Sequence, residues 1–268
     1  MFLAVLTANF FELCILIGIV FIHELGHASV AHHYNWRIKT ITLLPFGGKM
    51  EVDEHGNRPF KEELLVILAG PLQHLWMILL FFLFLQIQWI SVSFYTTFLY
   101  YNLMILLFNL LPIWPLDGGK LLYLYFSLRQ SFLTSHQQII FLSAGFLTLF
   151  SLFMLLFKPF NLSTWIIIAF LVFSLYFEYK QKRYIFMRFL IDRYYGEEQI
   201  AYGLKPIVVD ADTKIEQVLE CFKRGVKHQI IVKKNGKETG ILDENEVLHA
   251  FFSDKLVTAS VGDLLYSY

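Results

Sequence analysis

The sequence predicts an α-helical polytopic membrane protein, with about five full spans plus an N-terminal partial span, carrying a small soluble α/β domain at its C-terminus. Three observations predict it. The 268 residues are 56% hydrophobic and only 16% charged, against about 25% charged in soluble domains. Five segments approach the run of about 20 apolar residues that crosses a hydrocarbon core. They are roughly Leu13–His33, Leu64–Ile87, Phe94–Leu111, Ile139–Phe157 and Leu162–Phe177. From about Gly196 the long apolar runs give way to short strand and helix patterns.

Residues Met1–Phe11 are apolar but too short to span, and Glu12 follows. They read as the remnant of a first helix, the chain beginning within it. A cleavable signal peptide is not expected, since no basic n-region and no small-residue cleavage site is present. The zero net charge gives no case for direct nucleic-acid binding. Cys14 lies in an apolar segment and Cys221 in the polar tail, which argues against a disulfide framework.

The first full span contains His23-Glu24-Leu25-Gly26-His27. On a helix the two histidines stand one turn apart on one face, where neutral imidazoles bind Zn²⁺. Glu24 lies beside them to take a proton from a water on the metal. Such a motif at membrane depth points to peptide hydrolysis inside or at the edge of the bilayer. The bland alternative is a polar helix interface. His32, His33 and His55 lie at or past a span end and read as solvated. The segment Thr40–Val52, with Pro45 and Gly47-Gly48 between β-formers, reads as a hairpin or re-entrant loop whose edge can pair with an extended substrate. The alternative is an ordinary loop. In the second span, Ala69-Gly70-Pro71 reads as a turn, and His74 reads equally as a partner of the metal ligands or as interface packing.

A catalytic zinc takes three protein ligands and keeps one open position. The best third ligand is Asp117, in Asn109-Leu110-Leu111-Pro112-Ile113-Trp114-Pro115-Leu116-Asp117-Gly118-Gly119. Two prolines break the helix and two glycines free the backbone. Irregular backbone at this depth is tolerated where it lines a polar cavity. Asn109, with Pro115 in the same segment, is the substrate-binding candidate. Asn109 can donate to a substrate carbonyl or a developing oxyanion, or it can serve as a plain helix–helix hydrogen bond. A further helix is expected between Pro115 and Gln130.

Arg37, Lys39, Lys49, Arg58 and Lys61, then Arg129, then Lys180, Lys182, Arg183 and Arg188 fall on one side of the predicted spans. That side is expected to be cytoplasmic, with the HELGH site near it and the C-terminus in the cytoplasm. The expected domains are 1–178 in the membrane, a basic juxtamembrane linker over 179–199, and a soluble unit over 200–268. The last reads β-α-β-β-α: strand Ile207–Val209, helix Thr213–Arg224 with Ile215, Val218, Leu219 and Phe222 on one face, strand His228–Lys233, turn Asn235-Gly236, strand Gly240–Leu242 and helix Glu244–Phe252.

Together these residues resemble the site-2 protease family of intramembrane zinc metalloproteases. The likeness rests on HELGH at 23–27, Ala69-Gly70-Pro71 and Asn109…Pro115-Leu116-Asp117-Gly118. The family's Asn-Pro-Asp-Gly type of sequence is replaced here by Pro115-Leu116-Asp117-Gly118, with the Asp-Gly pair kept. The stretches LLPFGGKMEVDEHGNRPFKEE, NLLPIWPLDGGK, FKRGVKH and LDENEVLHA are similar to the sporulation branch of that family, over nearly the whole chain from about Phe10. The resemblance implies Zn²⁺ and a membrane-associated pro-sigma-K-like protein substrate, cut in its N-terminal pro-sequence. It also implies inhibitory membrane proteins as partners and residence in the mother-cell membrane surrounding the forespore. The tail resembles a single CBS motif. That implies pairing into a homo-oligomer and a cleft for ATP or another adenine nucleotide, with Glu246 at the ribose and Asp243 repelling phosphate. The alternative is a plain dimerisation or docking module. Two rival functions are a non-catalytic zinc- or nucleotide-sensing membrane protein and an ion transporter. The intact Glu24 argues against the first, and the clustering of polar residues around one site argues against the second.

Overall fold

In the structure, a computed structural model, residues 10–44, 47–52, 58–157, 160–196, 203–256 and 258–265 are described. The partial span at Met1–Phe11 therefore falls largely outside the described residues, as do Pro45 and His55.

Helix α1 (Phe10–His33) leads into an antiparallel hairpin of β1 (Ile38–Leu44) and β2 (Gly47–Val52). Then come α2 (Phe60–Gln86), α3 (Val92–Asn109), α4 (Asp117–Ser127), α5 (Phe132–Phe157) and α6 (Leu162–Tyr195). The expected hairpin is thus present in the pairing of β1 with β2. The chain forms two compact units that interleave in sequence. One takes residues up to Asp53, Lys61–Leu122 and Ile139–Phe157 with α6 as far as Phe177; the other takes Glu54–Phe60, Tyr123–Gln138 and everything from Glu178.

The first unit has the surface of a protein in lipid. Phe21, Leu25, Leu75, Leu79 and Leu107 are exposed, while His23, Glu24, His27, His74, Asn102, Asn109 and Asp117 are buried. In water that distribution exposes the wrong groups; in hydrocarbon it is the stable one. Among the described residues, four helices (α1, α2, α5 and α6) are long and apolar enough to cross a membrane. The remaining expected span, Phe94–Leu111, corresponds to α3, which is shorter and less apolar than these four. Helix α3 has only 18 residues, about 27 Å at ~1.5 Å per residue, and Asn102 and Asn109 lower its apolar character.

The expected turn at Ala69-Gly70-Pro71 is also corrected: all three lie inside α2. A proline costs a soluble helix an unsatisfied carbonyl, whereas in a bundle neighbouring groups re-satisfy it. The two glycines bring α1 and α2 together. A Cβ on Gly26 would stand 2.5 Å from Gln73 Cγ and 2.7 Å from the Ala69 carbonyl oxygen. Small residues give membrane helices this close approach.

The second unit contains β3 (Leu204–Asp210), α7 (Ile215–Glu220), β4 (Lys227–Lys234), β5 (Lys237–Asp243), α8 (Glu244–Phe252) and α9 (Val261–Leu264). The sheet order is β3-β4-β5, with β3 parallel and β5 antiparallel to β4. Asn235 and Gly236 turn the β4–β5 hairpin at φ 53 and 77, the left-handed backbone that a two-residue turn of this kind requires. Ile215, Val218, Leu219 and Phe222 are all buried, against Ile230, Val232, Val247 and Leu248. The stretch read as a juxtamembrane linker is helical through Tyr195, and its Phe186, Phe189 and Leu190 join this core.

Arg193 ties that helix end to the sheet. Its guanidinium donates to both carboxylate oxygens of Glu244 and to the Lys223 and Val226 carbonyls. Glu244 also accepts from the His228 backbone at 2.7 Å. Burial opposes its ionisation, but the His228 side chain and Arg193 outweigh burial and hold the carboxyl below its ordinary value of 4.5. A folded-state pKa below the unfolded one stabilises at neutral pH, and that stability is lost as pH falls through and below about 4.5. Glu244→Ala leaves Arg193 buried without its partner. It is expected to cost about 3–5 kcal/mol and to remove most of this acid sensitivity, read by thermal unfolding between neutral and mildly acidic pH.

Candidate metal centre

Helix α1 presents His23 and His27 on one face, and α4 begins at Asp117, where the partial positive charge of a helix N-terminus favours a carboxylate. The three meet. His23 Nε2 is 3.1 Å from His27 Nε2, and Asp117 Oδ2 is 3.1 Å from His23 Nε2 and 3.2 Å from His27 Nε2. All three residues are buried.

With the Asn102 amide oxygen as acceptor, the outer hydrogen bonds select one set of tautomers. His27 Nδ1 donates to the Val66 carbonyl at 2.7 Å, in the turn of α2 just before Pro71. Asn102 Oδ1 accepts from His74 Nδ1 at 2.8 Å. His74 Nε2 therefore carries a lone pair and accepts from His23 Nδ1 at 3.0 Å. These tautomers follow from the network. Both Nε2 atoms then point bare lone pairs at one another and at a carboxylate oxygen. Three acceptors with no donor between them repel unless a cation sits among them. Their spacing matches the edge of about 3.3 Å of a tetrahedron with metal–ligand arms of ~2.0 Å. The donor set, two imidazoles and one carboxylate with the outer ring nitrogens hydrogen-bonded, is the set that suits zinc.

Glu24 is buried beside this triangle, and its Oε1 is 3.9 Å from His23 Nε2. Its donor atoms fall within 4.8 Å of both histidines, so it is near enough to reach a ligand of the metal. Asp117 approaches the imidazoles more closely. Asn109, at the end of α3, is buried, and its Nδ2 donates to the Ile105 carbonyl at 3.1 Å. Pro115 is half-buried in the irregular segment that joins α3 to α4. That segment is pinned where the Trp114 amide donates to Ser143 Oγ at 2.9 Å. A Cβ on Gly118 would stand 2.2 Å from the Leu110 carbonyl oxygen, so only glycine lets the chain fold back there.

Glu246, expected at a ribose, closes a capping box instead. It accepts from the Asp243 amide at 2.8 Å, and Asp243 pairs with Lys227 at 2.9 Å. Helix capping accounts for both acidic residues. His32 and His33 are exposed, as expected. The sequence reading did not single out Asn102, Lys120 or the packing role of Gly70. Lys120 donates to Asp117 Oδ1 at 3.1 Å. A Cβ on Gly70 would stand 2.2 Å from His27 Nε2 and 2.8 Å from His23 Cε1. A small residue beside a proline was the only signal available for the last.

Gly70→Ala is therefore expected to displace both imidazoles and to strip zinc from the purified protein, read as metal per chain by elemental analysis. His74→Ala removes only the partner of His23 and is expected to weaken zinc retention about 10- to 100-fold in chelator competition.

The model of peptidase family M50 matches residues 11–89 and 84–152. Stage IV sporulation protein FB of Bacillus subtilis is 47% identical over 99% of this chain and 92% of its own length. A zinc metalloprotease of Methanocaldococcus jannaschii is 26% identical over 86% of this chain and 82% of its own. The solved site-2 protease from Methanocaldococcus jannaschii aligns at TM-score 0.51 and 32% identity, covering 62% of this chain and 76% of that one. With four membrane-length helices and a buried histidine–carboxylate triangle, the chain belongs to peptidase family M50, the membrane zinc metalloproteases of the site-2 protease type.

Proposed function

We propose that His23, His27 and Asp117 hold the zinc of this protease, that Glu24 is its general base and acid, and that its substrate is a membrane-associated sigma-factor precursor cut in its pro-sequence. The observation that carries the reading is the triangle of His23 Nε2, His27 Nε2 and Asp117 Oδ2, 3.1–3.2 Å apart, with Glu24 beside it. When bound, zinc polarises a carbonyl and lowers the pKa of water.

The chain's own residues supply the rest. Glu24 takes one proton from the attacking water as its oxygen bonds to the scissile carbonyl carbon. As the C–N bond breaks, Glu24 passes that proton to the leaving amine. One amide hydrogen of Asn109 is engaged by the Ile105 carbonyl; the other serves to hold a substrate carbonyl, in the segment ending at Pro115. The apolar wall of the first unit keeps bulk water from the site.

The likeness to a sporulation protein supports action during sporulation. On this reading the substrate resembles pro-sigma-K, inhibitory membrane proteins of the sporulation complex are partners, and the enzyme resides in the mother-cell membrane around the forespore. The basic residues after α1 and along the second half of α6 support a cytoplasmic face for the site and the C-terminus. Pairing of the C-terminal units into a homo-oligomer is supported by Val208, Ile231 and Ile241. They lie side by side across β3, β4 and β5, and Val208 and Ile241 are exposed. A bound adenine nucleotide, by contrast, gains no support from Glu246.

Glu24→Gln keeps shape and burial but removes the base. Co-expressed with a membrane-associated pro-sigma-K-like substrate, it is expected to lose at least about 10²-fold in cleavage while retaining one zinc per chain. Wild-type cleavage by this variant would refute the mechanism.

A further inference from the structure

Lys120 has no evident structural reason to stand where it does. It lies in the first turn of α4, where the helix dipole disfavours a cation, and an ammonium near membrane depth is costly. Its side chain is 34% exposed, and its Nζ is 3.1 Å from Asp117 Oδ1. An i,i+3 ion pair on an ordinary helix is a weak interaction, too weak to offset those costs.

The pairing divides the Asp117 carboxylate. Oδ2 faces the two imidazoles at 3.1 and 3.2 Å, and Oδ1 faces the ammonium. A carboxylate free to turn can give both oxygens to one cation. That would take two positions on the metal and close the one that a hydrolytic site keeps open. We propose that Lys120 is a positioning residue that holds Asp117 in one-oxygen coordination and so keeps the fourth metal position open for water.

The role needs only the fixed ammonium and its hydrogen bond. It rests on the reading of His23, His27 and Asp117 as ligands, so the test separates the two. The full-length protein is loaded with Co²⁺ in place of zinc and its visible absorption is recorded. Four-coordinate cobalt absorbs intensely, and a fifth ligand weakens the bands. The unmutated protein is expected to bind one Co²⁺ with intense bands. Lys120→Met is expected to bind Co²⁺ with clearly weaker bands. Lys120→Arg, which keeps a charged donor, is expected to restore them.

Lys120→Met with the bands of the unmutated protein would overturn the proposal and leave the ligand assignment standing. Weak bands in the unmutated protein would overturn it without any variant, which covers the case in which Lys120→Met does not fold. Failure of the unmutated protein to bind Co²⁺ or zinc at all would overturn both readings.

Discussion

Three lone pairs aimed at one point govern the architecture of the membrane unit. His23 Nε2, His27 Nε2 and Asp117 Oδ2 stand within 3.2 Å of one another, an arrangement that suits a divalent cation. Each donor is turned inward by a partner on its far side: Val66 for His27, His74 backed by Asn102 for His23, and Lys120 for Asp117. Those partners come from α2, α3 and α4. Helix packing and ligand orientation are therefore one problem, and a change in any of the three helices is felt at the centre.

Lipid makes this problem sharper. No hydrophobic effect pulls apolar helices together in hydrocarbon, so close approach depends on small residues and on polar pairing. Gly26 and Gly70 provide the first: side chains there would collide with Gln73, Ala69 and the imidazoles themselves. The His74–Asn102 pair provides the second. The break between α3 and α4 answers the same constraint. An aspartate at mid-span on a straight helix would approach α1 with its whole backbone. The irregular segment before Asp117, locked by Ser143 and by the close packing of Gly118, instead starts a new helix at the ligand.

Much of this was legible in the sequence, for physical reasons. Apolar runs marked the helices because hydrocarbon excludes charge. HELGH marked the histidine pair because i and i+4 share a helix face. The Pro and Gly residues around Asp117 marked the third donor because irregular backbone at membrane depth needs a purpose. The order of elements in the tail followed from alternation, periodicity and Asn235-Gly236. The errors have equally physical sources. Ala69-Gly70-Pro71 reads as a turn by the rules of aqueous helices, and those rules relax in a bundle. His74 stayed ambiguous because a buried histidine looks the same in sequence whether it packs or orients. Lys120 escaped because spacing alone does not reveal a hydrogen bond to a neighbouring carboxylate. Glu246 matched a nucleotide pattern that is also a capping box.

Two carboxylates stand near the same imidazoles, and the proposed mechanism gives them different work. Asp117 is held from behind by an ammonium and from below by its own helix end, so it has one orientation and suits a ligand. Glu24 rides on α1 beside His23, and its oxygen is 3.9 Å from the imidazole nitrogen that Asp117 approaches to 3.1 Å. A base must move a proton between two partners in one turnover, which requires reach rather than a fixed bond. Exchanging the roles would fail on both counts. A glutamate ligand on the histidine helix would leave the cation bound to a single element, and the aspartate, fixed by Lys120, would lack the freedom to carry a proton from water to amine. On the proposed mechanism the carboxylate clamped at the start of α4 serves as the ligand, and the one carried by the histidine helix serves as the base.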